Sequence, residues 1–77
     1  MQTIKRDERL WLMFKETMID SDYVIAVRLV DILLDGRYGI EVVTKEAGML
    51  IVAKYIRYEA ALEDFNKVCE AIGEATN

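Results

Sequence analysis

The chain has 77 residues, 53% hydrophobic and 31% charged, with a formal net charge of −4. That length makes one domain, 1–77, whose single core contributes only about 3–5 kcal/mol of net stability. With no His and a single Cys, Cys69, the composition excludes a disulfide-stapled miniprotein and a Cys/His zinc site. It also fits a reducing compartment, read here as the cytoplasm.

Residues 4–19 fit two readings. On a helix, Ile4, Trp11, Phe14 and Met18 fall on one stripe, with Thr3 as a cap. On a strand, Leu10, Leu12 and Phe14 face one way and Trp11 and Met13 the other. The helix-forming residue types tip the expectation towards helix, with a strand over 9–15 kept as the alternative.

Residues 22–35 carry the most concentrated apolar block, Tyr23 to Leu34, interrupted only by Arg28 and Asp31. Arg28, Asp31 and Asp35 share one face at helical spacing, Asp20 or Ser21 is available as an N-cap and Gly36 as a left-handed stop. The spacing predicts a helix, against the β-branched content of Val24, Ile25, Val27, Val30 and Ile32. The block is shorter than the roughly 20 residues that span a membrane.

Residues 38–57 predict a β-hairpin: Ile40 to Thr44, a turn at Lys45 to Gly48, and a return strand from Met49 to Arg57. The return strand is apolar on both faces, Met49, Ile51, Ala53 and Tyr55 on one, Leu50, Val52 and Ile56 on the other. A strand of that kind is central, covered or part of an interface. Residues 59–72 predict an amphipathic helix with Ala61, Leu62, Phe65, Val68, Cys69 and Ile72 inward, a Glu63–Lys67 pair outward and Gly73 as its end. Residues 74–77 are expected to fray.

The expected fold is α+β: helix (or strand), helix, β-hairpin, helix, with the hairpin packed by amphipathic helices. The alternative is β-α-β-β-α with a three-stranded sheet.

The residues offer little catalysis. Without His the usual neutral-pH base is missing. Ser21 reads as part of a cap and Cys69 as a buried, inert thiol. No catalytic, cofactor-binding or metal residue is assigned, and no cofactor is expected. The charged N-terminus and short apolar run, Leu10 to Phe14, do not read as a signal peptide. The acidic excess lies wholly in residues 58–77, where Lys67 stands alone against Glu59, Glu63, Asp64, Glu70 and Glu74. Direct nucleic-acid binding is therefore disfavoured, and no membrane is expected as a partner.

These features predict a non-enzymatic interaction or regulatory module, a homo-oligomer and most simply a dimer. Its interface would use Tyr23, Val27, Val30, Leu34, Tyr38, Tyr55, Arg57 and Tyr58. Two alternatives stand beside it. One is a compact inhibitor of phage or mobile-element type, meeting a basic protein surface with Glu59, Glu63, Glu70 and Glu74. The other is a binder of small, nucleotide-like anions held by Arg28, Arg37 or Arg57.

Overall fold

A computed structural model describes residues 1–31 and 36–76, with side chains to Gly73. Among the described residues, six strands form two antiparallel three-stranded sheets, followed by one helix. Sheet A holds β1 (Gln2–Arg6), β2 (Arg9–Met13) and β3 (Met18–Asp20). A short 3₁₀ turn, Ser21–Tyr23, leads into sheet B: β4 (Val24–Val30), β5 (Tyr38–Thr44) and β6 (Gly48–Tyr55). The helix α1 runs from Tyr58 to Thr76. This overturns the expected helix–helix–hairpin–helix order and also the β-α-β-β-α alternative.

The first expected helix is a hairpin. Arg6 pairs with Arg9 across a two-residue turn in which Asp7 (φ 55) and Glu8 (φ 63) are both left-handed. That conformation matches the right-handed twist of a hairpin but is normally supplied by Asn-Gly or Gly-Gly, so Asp-Glu gives no turn signal. Residues 9–13 are indeed extended, but they join β1 and β3 rather than the later hairpin. Leu10, Leu12 and Phe14 point inward and are buried.

The second expected helix is β4 over its described part. Residues 32–35, including Leu34 and Asp35, lie outside the described residues. The strand stops at Val30, so Asp31 falls beyond it and never occupies a face. Arg28 projects from the sheet opposite Glu41, whose carboxylate takes bonds from Nε and Nη2 at 2.9 and 2.6 Å. A cross-strand partner, absent from any local window, makes Arg28 compatible with a strand. The β-branched residues then prevail over the helical spacing.

The expected hairpin over 38–57 is present as β5 and β6, with a turn at Lys45–Ala47. Gly48 takes φ 70, a value natural to glycine. Thr44 Oγ1 accepts a bond from the Ala47 N–H at 3.0 Å. A bulge sits in each outer strand: Ile25 is the extra residue of β4 and Val52 that of β6. The second bulge changes the faces of β6. Met49 and Ile51 lie opposite Val43 and Glu41, whereas Ala53 and Tyr55 lie opposite Ile40 and Tyr38 on the inner face.

One core joins both sheets to the helix. It contains Leu10, Leu12, Phe14 and Ile19 from sheet A, Ile40, Val42 and Val52 from sheet B, and Val68 and Ala71 from α1. The expected helical stripe is rotated slightly: Ala71 is buried and Cys69 is exposed. Cys69 is therefore not the enclosed thiol expected, although partial shielding still pushes its pKa up. Gly73 does not end the helix, which continues to Thr76.

Two backbone substitutions test this architecture. Glu8→Gly relieves a left-handed side-chain-bearing residue in the β1–β2 turn and should raise unfolding stability by about 0.5–1 kcal/mol. Gly73→Ala should add about 0.5–1 kcal/mol, because the residue is helical and an added Cβ meets nothing within 4 Å. Urea titration checks both, as a rise in midpoint at constant slope.

Candidate functional site

The inner face of sheet B is occupied by the core, so its outer face is the surface available to a partner. Three cross-strand rows compose it: Ala26, Val43 and Met49; Arg28, Glu41 and Ile51; Val30, Gly39 and Lys54. Strand alternation brings these residues to one side, and the Val52 bulge keeps Lys54 on that side. Met49 is 66% exposed, Ile51 40% and Ile25, in the β4 bulge, 62%. Ile56, just past β6, is 83% exposed. Met49 and Ile51 are neighbours on this face, and adjacent exposed apolar side chains mark a binding surface more often than scattered single ones do.

Within these rows Arg28 and Glu41 form an ion pair, with Arg28 65% exposed at its side chain and Glu41 12%. The Glu41 carboxylate lies low among its neighbours with the guanidinium over it. The face is therefore apolar with a compensated charge near its centre and Lys54 at one end.

At the other edge of β6 lies a cavity of about 540 Å³ whose lining includes Phe14, Lys15, Glu16, Arg37, Lys54 and Asp64. Tyr55 forms part of its wall and donates its hydroxyl to Asp64 Oδ2 at 2.6 Å. Partial burial and the adjacent carboxylate push the Tyr55 phenol well above its ordinary pKa. Asp64 also lies 3.4 Å from the Met1 amine and 3.9 Å from Lys67 Nζ. The polar lining is mixed in sign, with Lys15, Arg37 and Lys54 against Glu16 and Asp64.

The expected interface residues are not gathered into one patch. Val27 and Tyr55 pack against the core. Tyr38 meets Tyr58 edge to face, with ring centroids 5.5 Å apart. Val30 is half-buried on the outer face and Leu34 lies outside the described residues. Tyr23 is 39% exposed, and its carbonyl accepts the Lys45 N–H at 3.0 Å. Arg57 is exposed beside Glu59 at 3.9 Å. The residues missed by the sequence reading are Ile25, Met49 and Ile51. The signal for Met49 and Ile51 was the two-faced apolar pattern of β6, which the bulge reassigns, whereas Ile25 lies in β4 and had no local signal.

The proposed anion-binding arginines occupy different settings. Arg28 is bonded to Glu41, Arg57 stands by Glu59, and of the three Arg37 lines the cavity. On α1, Glu59, Glu63 and Glu70 are exposed, while the side chain of Glu74 lies outside the described residues. Lys67 approaches Glu63 at 3.5 Å, as expected for an i, i+4 pair. Asp20 caps the 3₁₀ turn by accepting from the Asp22 N–H at 3.0 Å and holds Arg9 Nη1 at 2.8 Å. Contact with Asp20 raises the Arg9 pKa. Ser21 Oγ is buried without a hydrogen-bond partner and plays no capping role.

Among the described residues, no cluster of three His, Cys, Asp or Glu side chains is placed to hold a metal ion. Nor is any described helix long and apolar enough to cross a membrane. The chain is a small α+β protein of two antiparallel sheets bridged by a helix. It matches no family model, no curated protein and no solved structure.

The Tyr55–Asp64 bond yields a pH prediction. A phenol whose folded-state pKa is raised contributes stability that is complete below about pH 10 and is lost as pH rises towards the folded value. Tyr55→Phe should cost about 1 kcal/mol at neutral pH through the lost hydrogen bond. The variant should also show a shallower alkaline loss than the parent, measured by chemical unfolding at successive pH values.

Proposed function

We propose that this chain is a non-enzymatic protein–protein interaction module that docks its partner on the outer face of sheet B and the adjoining β6 edge. The observation that supports this reading most is the exposure of Met49 and Ile51, next to each other on one face of an edge strand. Met49 is 66% and Ile51 40% exposed, so burying what remains accessible of the two supplies roughly 1.5–3 kcal/mol of transfer free energy, a modest anchor once the costs of association are met. A single thiol, Cys69, suits work in a reducing, cytoplasmic setting. The acidic helix face is the weaker candidate for docking, since Glu59 and Glu63 already have Arg57 and Lys67 as neighbours and a solvated helix commonly carries such charges.

Oxidative footprinting of Met49 tests the reading and does not require the partner to be identified. In dilute purified protein Met49 should oxidise at the rate of an exposed methionine. In a concentrated extract of the cells that make the protein it should oxidise several-fold more slowly, relative to an added reference methionine peptide. Equal relative rates in both settings would overturn the proposal.

A further inference from the structure

We infer that the partner is a second copy of the chain, joined along the β6 edge in antiparallel register, so that two copies of sheet B form one six-stranded sheet with Met49 and Ile51 at its seam. The inference rests on the interaction reading above and names its partner.

The four sheet edges differ in their fitness for pairing. Strand β1 is exposed throughout and carries Lys5 and Arg6, β3 has three residues, and β4, bulged like β6, carries Arg28 in its middle. Strand β6 is the longest, with eight residues, and has no charged side chain before Lys54. It is hydrogen-bonded to β5 on one side and forms the edge of sheet B on the other. A long apolar edge of this kind presents free backbone donors and acceptors that pair readily with another strand.

The sequence of β6 complements itself. Antiparallel pairing about Leu50 sets Met49 of each copy against Ile51 of the other, twice by symmetry. These are the two exposed apolar side chains of the strand's outer face. Leu50 meets its own symmetry mate on the inner side. A two-fold axis through such a strand is the simplest closed assembly, because one surface serves both subunits.

Charge supports the same register. Beyond the paired segment, the Lys45–Ala47 turn of each copy is carried along the edge of the other towards residues 53–55. There it meets the cavity of about 540 Å³ lined by Lys15, Arg37 and Lys54. Glu46, exposed in that turn, brings a carboxylate towards three cations, with Glu16 and Asp64 on the same lining. Arg28 and Glu41 stand on β4 and β5, inside the β6 edge, so edge pairing leaves their ion pair intact.

Sedimentation equilibrium of the full chain tests the inference. At millimolar concentration the mass should approach twice the 8.9 kDa of one chain and fall to the single-chain value on dilution. Met49→Glu and Ile51→Lys alter outer-face positions, the second with a charge opposite in sign to its cross-strand neighbour Glu41, and should leave the monomer's melting temperature nearly unchanged, while each weakens self-association by at least about tenfold. Glu46→Lys and Lys54→Glu should each weaken it, and the double variant should recover most of the loss. A chain that stays monomeric to millimolar concentration overturns the inference, as does a dimer indifferent to these four substitutions. If that monomeric chain still shows Met49 protection in cell extract, the second copy is excluded and the interaction module stands. Without such protection both fail.

Discussion

Burial of one face of α1 between two small sheets is the constraint on which this structure depends. A three-stranded sheet has two faces to cover and little mass with which to cover them. Here Leu10, Leu12 and Phe14 of sheet A and Ile40, Val42 and Val52 of sheet B converge on Val68 and Ala71 of the helix. Leu12, Ile40, Val42 and Val68 are the largest side chains that are fully enclosed. Each sheet lends the helix a wall, and the helix gives the sheets a common interior. The inner face of sheet B is thereby satisfied, and its outer face has no comparable claim within the described residues.

The bulges decide how that outer face is composed. Without the extra residue at Val52, strict alternation would place Ala53 and Tyr55 on the same side as Met49 and Ile51. With it, Tyr55 turns inward to reach Asp64 on α1 and Lys54 turns outward. One inserted residue thus ties the end of β6 to the helix and separates the apolar stretch, Met49 to Ile51, from a charged one. The Ile25 bulge acts similarly in β4, leaving Val24 to pack inward while Ile25 is exposed. Bulges next to functional surfaces commonly re-aim side chains in this way.

The proposal of an interaction module rests on this arrangement. Charge is handled locally: Arg28 with Glu41, Arg9 with Asp20, Lys67 with Glu63. Where charge is balanced by neighbours, exposed apolar area remains as the unspent source of binding free energy. In β6 that area coincides with an open backbone edge, so hydrogen bonding and burial would act along the same strand.

The β5–β6 hairpin and the C-terminal helix were legible from sequence because their signals are local: a glycine-ended turn between β-rich runs, and apolar residues recurring at helical spacing. The acidic excess of residues 58–77 was likewise a matter of counting. The N-terminal hairpin was not legible, since Asp7 and Glu8 adopt left-handed conformations that their residue types do not announce. Nor was β4, because the helical spacing of Arg28, Asp31 and Asp35 imitated an amphipathic face. Only the tertiary structure ends the strand before Asp31 and sets Glu41 across from Arg28. The candidate site follows the same division. The sequence by itself determined that β6 has more apolar surface than one small subunit readily covers. The fold decided which part of it faces outward, since a bulge is a relation between two strands and a single strand does not encode it.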